Sequence, residues 1–270
     1  MGPVRPEFVP DPALAHDEMV ALQRDVADVA VFEDDFGFDP GTVRGAPPES
    51  EGGDESPESH PAGPIVVGID QAFLDERAVS VVVAIQDGKV IERAHAVEPL
   101  AVPYIPGLLS FREGGPIIAA FRNLSVDPAI ALFDGSGRIH YRQAGLATHL
   151  GVIFDFPSVG VAKSLLCGRP VNSLEGLTEG SRVPILGDED VEAVGRHPAG
   201  PDTVIGYGVQ TRQYESPNRH VNPLYVSSGH RVSASTAADL VVALSTGYKL
   251  PEPTRLADAY ADEVKAEVRS

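Results

Sequence analysis

Cysteine and lysine are close to missing from this 270-residue chain, which has one cysteine, Cys167, and four lysines among 21 basic residues. A single cysteine excludes an intramolecular disulfide and disfavours a thiolate zinc site, so nothing points to an oxidising compartment. Long apolar runs are absent too. The greasiest stretch, residues 78–85, is far shorter than the ~20 residues a bilayer-spanning helix needs, and the first ten residues lack a basic-then-apolar signal pattern. A protein of the cytoplasm that does not touch membranes is the expectation.

Positive charge is the third shortage. The formal net charge is −18, whereas a protein that binds polyanions is expected to be basic. The acid is unevenly spread, however: residues 1–63 hold 15 acids and 3 bases, while residues 103–170 hold 4 acids and 6 bases. A nucleic-acid substrate is therefore still admissible for the central segment. Much acid with little lysine suits a chain adapted to high salt, where screening shortens electrostatic reach to ~3 Å at 1 M. Hydrophobic residues make up an ordinary 43%, enough for a globular core.

Periodicity organises the chain into three segments: an N-terminal helical segment (1–36) packed on the core, an acidic flexible linker or insertion (37–63), and a large α/β domain (64–270). Residues 11–31 place apolar side chains mostly on one helical face. The stretch 37–63 is rich in Pro, Gly, Ser and acid with almost nothing to bury. Runs at 65–69, 79–85 and 90–97 read as antiparallel strands, the last two joined by QDGK, an Asp-Gly hairpin signal. Next come a helix at 113–124, interrupted early by Gly114, Gly115 and Pro116, a strand at 129–133, a helix at 142–153 and a strand at 158–162. Such alternation implies parallel pairing through helical crossovers. Strand-like segments within 167–230 should extend the sheet, and helices at 233–246 and 254–268 should close the chain. The order is that of a ribonuclease H-like mixed sheet.

Three acids stand where an acid is expensive. Asp70 and Asp134 end apolar, β-branched runs, and Glu113 follows PYIPGLLSFR; an unpaired buried carboxylate costs several kcal/mol and normally has a cation or hydrogen-bond partner. Oxygen-only ligands suit Mg²⁺ or Mn²⁺ rather than zinc, and carboxylate-held divalent ions serve phosphodiester cleavage. Structural caps at strand ends are the alternative for these acids.

The words PYIPGLLSFRE, DGSGRIH, GVAK, GHRVS and LPEPTRLADA occur in that order over residues 65–259, and together they resemble endonuclease V, the deoxyinosine 3′-endonuclease family. The resemblance implies a ribonuclease H-like fold and Mg²⁺- or Mn²⁺-dependent nicking at the second phosphodiester 3′ to deoxyinosine, leaving 3′-hydroxyl and 5′-phosphate ends. It further implies that Asp70, Glu113 and Asp134 are metal ligands and that His140 and Lys163 are catalytic helpers. Tyr104, within Pro103, Ile105 and Pro106, takes the role of the strand-separating wedge. The substrate would be single- or double-stranded DNA containing deoxyinosine, acted on by a monomer.

Physical readings accompany each position. Two prolines stiffen the Tyr104 loop, so its ring would fill the gap of a flipped base at little entropic expense. Lys163 follows an apolar strand and must snorkel, meet a phosphate, or pair with a site acid. Gly135 and Gly137 would offer backbone N–H groups to a base edge or serve as plain turn glycines, Arg112 would meet a phosphate or brace Glu113, and His230 would face substrate or serve as a cap. DGSG carries Ser136 where many bacterial relatives have His. Three other readings compete: an inosine-specific endoribonuclease acting on RNA, a non-catalytic nucleic-acid binder, and an actin-like ATP-dependent kinase, which would need a Gly-Thr-rich turn where Gln71 to Leu74 stand.

Overall fold

The computed structural model describes residues 1–46, 62–214 and 220–269. Beyond helix α1 (His16–Val29), the first strands are β1 (Val66–Leu74), β2 (Arg77–Gln86) and β3 (Lys89–Pro99), followed by α2 (Leu109–Arg122), β4 (Ile130–Asp134), α3 (Leu146–Phe154) and β5 (Ser158–Ala162). Four further strands, β6 (Arg169–Pro170), β7 (Arg182–Leu186), β8 (Val204–Val209) and β9 (Leu224–His230), precede α4 (Ala234–Ala243) and α5 (Glu252–Arg269). The nine strands of the described residues form one sheet in the order β3-β2-β1-β4-β5-β9-β8-β7-β6. Among them β1–β4 and β4–β5 pair in parallel, each through a helical crossover. The β2–β3 hairpin turns on Asp87 and Gly88, both at positive φ (50° and 72°), as an Asp-Gly turn of the primed type requires.

Alternation along the strands divides the core into two layers. Val66, Val79, Val81, Ile130, Leu132, Val159 and Val161 pack under α4 and α5. Val67, Ile69, Val82, Ala131 and Phe133 face α2 and α3 through Ile117, Phe121, Leu150 and Ile153. Helix α1 lies outside, its Val26 and Ala27 against Ala144 and Val152. Gly68 is where α5 comes closest to the sheet: a Cβ there would stand 2.1 Å from the backbone of Pro253, so only glycine admits the start of α5.

Several boundaries differ from the sequence reading, each for a local reason. Strand β1 runs four residues past Asp70, because β2 keeps pairing with it up to Leu74↔Arg77. Helix α2 begins at Leu109 and continues through Gly114, Gly115 and Pro116; Gly114 packs against Pro10. Helix α3 starts at Leu146, since Gln143 has a positive φ (54°) and the Gly145 amide is spent on the Gly137 carbonyl. Of the stretch 37–63, residues 47–61 lie outside the described residues. Its beginning is packed: Val43 is buried, and Phe38 rests with Phe36 on the α4/α5 layer. Among the described residues no helix is long and apolar enough to cross a membrane.

Candidate metal centre and substrate-facing loop

The cleft forms where the sheet loses a partner. Strand β1 pairs with β4 only from Val66↔Ile130 to Ile69↔Phe133, so the next residues in that register, Asp70 and Asp134, stand side by side at the notch. A cavity of about 180 Å³ opens there, lined by Ile69, Asp70, Gln71, Phe73, Leu109, Glu113, Ile117, Asp134 and Leu146. Helix α2 brings in Glu113, and β5 ends just before Lys163, whose Nζ lies 2.7 Å from Asp134 Oδ2. Crevices beyond the carboxyl ends of parallel strands are where open α/β sheets place ligands. The three acids separated in sequence therefore share one cavity.

Their electrostatics are those of a site short of positive charge. Burial, with Asp134 beside it, pushes Asp70 up to about 8, against the smaller opposing pull of the Gln71 amide and Lys163. Burial likewise raises Glu113 to about 7, with Arg112 opposing and Asp134 adding. Burial disfavours the charged form of Lys163, but its hydrogen bond to Asp134 and the nearby acids outweigh this and raise it overall. A fourth carboxylate, missed in the sequence, belongs to the group: Asp258 of α5 lies 3.8 Å from Lys163 Nζ and contributes to the rise at Asp70. Its signal was available inside LPEPTRLADA, a word read without assigning its aspartate.

The donor chemistry fits a hard divalent cation. All the donors are carboxylate oxygens, and the cleft also holds a buried acceptor, Gln71 Oε1, with no hydrogen-bond partner among the described residues. The Gln71 amide nitrogen is held by Ser80 Oγ and the Glu113 carbonyl. Among the described residues no three His, Cys, Asp or Glu side chains stand ready to hold an ion. The Lys163 ammonium sits against Asp134, partly neutralising it.

The loop entering α2 contrasts with this cleft. Tyr104 is 67% exposed between Pro103 and Pro106, while Ile105 packs on the cluster of Met19, Val102, Leu108 and Phe111. Arg112 donates to the Val102 carbonyl at 2.8 Å and lies over the Phe73 ring, so it braces the base of this loop. His140 does not line the cleft. Its Nε2 donates to the Gly107 carbonyl at 3.1 Å and its Nδ1 accepts from the Arg142 amide at 3.2 Å. Burial depresses the ring to about 3, which keeps it neutral. Both nitrogens are thus occupied by backbone, so in this structure His140 braces the loop and does not face the cleft.

Two other expectations change. The Gly135 amide donates to the Val161 carbonyl and the Gly137 amide to Ser227 Oγ, so neither N–H is presented to a base. Their lack of a side chain serves close packing instead, since a Cβ on Gly137 would stand 2.1 Å from the Ser228 carbonyl oxygen. His230 is fully buried, its Nε2 3.2 Å from Asp155 Oδ1 and its Nδ1 accepting from the Val31 amide. It ties β9 to the chain after α1, in a buried cluster where Asp155 also gathers Arg5 and Arg231.

Comparisons with known proteins bear on the family and the fold. The family model of endonuclease V matches residues 53–259. An endonuclease V of Haloarcula marismortui is 59% identical over 272 residues, covering 98% of each chain. The crystal structure of endonuclease V from Streptomyces avermitilis is 28% identical with a TM-score of 0.70, covering 95% of both chains. Endonuclease V of Ciona intestinalis, solved with a 24mer DNA containing an inosine followed by a ribo-adenosine, shares the fold at a TM-score of 0.66 and 24% identity, covering 93% of this chain and 98% of that one.

Proposed function

The chain belongs to the endonuclease V family, and from that premise we propose that it is a DNA-repair endonuclease nicking at the second phosphodiester 3′ to deoxyinosine. The observation that carries this reading is the pairing of Asp70 with Asp134 in one notch, joined by Glu113, with Lys163 and Arg112 as the bases that act on them. Like charges held that close in a partly dry cleft are unfavourable unless a cation completes the site.

A bound Mg²⁺, or Mn²⁺ in its place, would lower the pKa of a water so that it can attack as hydroxide and would offset negative charge on the phosphate. Asp70, Glu113 and Asp134 would hold it, with Asp258 close by. Lys163, whose ammonium stands beside Asp134 at the cleft, would meet a non-bridging oxygen of the scissile phosphate. The unpartnered Gln71 oxygen lines the same cavity as an acceptor for an ordered water. Tyr104 is the wedge that fills the gap left by the flipped base, and its exposure on a proline-stiffened loop supports that role.

The domain reading belongs to the same proposal: residues 64–270 form the nuclease unit, α1 buttresses it, and the acidic segment is an insertion. The buried, single Cys167 fits work in a reducing cytoplasm. The overall acidity fits work in strong salt, where phosphate contacts lose much of their counterion-release advantage; binding then leans on the cation and base insertion. RNA is the second substrate class to test.

The experiment is a labelled duplex with one deoxyinosine, incubated with Mg²⁺ over a salt series beside an unmodified duplex and an inosine-containing RNA. A single nick at the second 3′ phosphodiester of the deoxyinosine strand is expected. No nick at any salt overturns the reading, and preferential cutting of the RNA reassigns the substrate.

A further inference from the structure

Three side-chain donors converge on one backbone oxygen, the carbonyl of Gly107. Gln23 Nε2, from α1, lies at 2.9 Å, Arg142 Nη2 at 2.9 Å and His140 Nε2 at 3.1 Å. The donors also bind each other: Arg142 Nε donates to Gln23 Oε1 at 2.7 Å, and the Arg142 amide to His140 Nδ1 at 3.2 Å. Gln23 is 1% exposed and His140 4%.

Such an arrangement exceeds what closing a turn requires. A carbonyl oxygen has two lone pairs, and a surface loop ordinarily leaves its carbonyls to water. Taking a glutamine, a histidine and half of an arginine out of water is unfavourable unless every donor is met, and here all three meet the same atom. Gly107 is fixed further by its backbone, at φ +77°, with space for a Cβ closed by Arg142 Nη2 at 3.1 Å and Tyr141 Cδ2 at 3.2 Å. At the other end of the loop, Arg112 holds the Val102 carbonyl. Between the two anchors stand Pro103, Tyr104, Ile105 and Pro106, with only limited backbone freedom.

We propose that Gln23, Arg142 and His140 are positioning residues for lesion recognition, which fix Gly107 and thereby set the height and angle at which Tyr104 enters a duplex. The inference rests on the wedge reading of Tyr104 given above. Through Gln23, helix α1 becomes a component of the substrate-reading apparatus rather than a packing element alone. His140 then acts through the loop: one neutral tautomer, protonated on Nε2, satisfies both its contacts.

A wedge is needed to separate paired strands and is dispensable when the lesion is already single-stranded, which provides a readout that simple destabilisation does not move. Cleavage of deoxyinosine in duplex and in single-stranded DNA is compared for wild type, Tyr104→Ala, Gln23→Ala and Arg142→Lys. The expected result for Gln23→Ala and Arg142→Lys is a KM for the duplex raised about tenfold, the scale of one lost buried hydrogen bond, with kcat within about twofold and single-strand cleavage unchanged. Tyr104→Ala should show the same duplex-selective loss. Equal losses on both substrates, or no loss, for the Gln23 and Arg142 variants while Tyr104→Ala remains duplex-selective overturns the positioning role alone. If Tyr104→Ala is itself not duplex-selective, the wedge reading fails and this inference with it.

Discussion

The cleft and the loop beside it are built on opposite principles. Around Asp70 and Asp134 carboxyls crowd together with only partial compensation: Lys163 pairs with Asp134, yet Asp70 and Glu113 are raised to about 8 and 7, and a buried amide oxygen lacks a partner among the described residues. Around Gly107 three side-chain donors meet one carbonyl oxygen, two of them from residues almost wholly out of water. Helix α2 connects the two, since the loop leads into it and Glu113 lies one turn further on. The contrast teaches that one site is kept electrostatically open for what must bind, while its neighbour is closed so that an exposed aromatic is held still.

Removing a carboxylate from the open region should have the largest effect. Asp134→Ala or Asp70→Ala is expected to lower deoxyinosine cleavage by about three orders of magnitude. Thermal stability in chelator should be unchanged or raised, because a like-charge neighbour has been deleted; a melt by circular dichroism checks this. Near-normal cutting would mean the cation is held elsewhere. Asp258→Asn should cost less, about ten- to a hundredfold, the range for groups that support a metal site, read as the Mg²⁺ concentration for half-maximal cutting.

On the closed side, Tyr104→Ala should weaken binding to a lesion duplex by about tenfold, the low end for loss of one aromatic stacking partner. The Mg²⁺ requirement should be unaffected, which a metal titration of cutting by the variant would show. Unchanged duplex affinity would remove the reason for holding the loop so firmly.

The smallest effect is on the stability of the metal-free protein. Asp70 and Glu113 are raised above the ordinary carboxylate range, so their contribution is complete at acid pH and is lost as pH rises through about 7 and 8. The melting temperature in chelator should therefore fall by a few degrees between about pH 6 and 9. Asp70→Asn should flatten that slope, and an equally steep fall in the variant would place its origin elsewhere.

Much of this was legible in the residues because it is local. The β-branched runs, the QDGK turn and the strand-helix alternation carry their own periodicity, and Asp70, Glu113 and Asp134 betray themselves as acids among apolar neighbours. What escaped depends on contacts distant along the chain. Asp258 joins Lys163 only because Gly68 lets α5 approach the sheet. His230, open in the sequence between substrate and a cap, is enclosed by Asp155 and the Val31 amide. The Gly135 and Gly137 amides looked free because their partners, Val161 and Ser227, lie on strands further along. His140 illustrates the same limit: its place in DGSGRIH gave no sign that its hydrogen bonds hold Gly107, 33 residues earlier.

The claim that the cleft is an open cation site is tested most directly by counting protons released when Mg²⁺ is added to the protein at about pH 7. With Asp70 raised to about 8 and Glu113 to about 7, cation binding must displace protons from carboxyls. About one proton per ion is expected for the wild type, and distinctly fewer for Asp70→Asn. Binding without proton release, or the same release from the variant, would contradict the account.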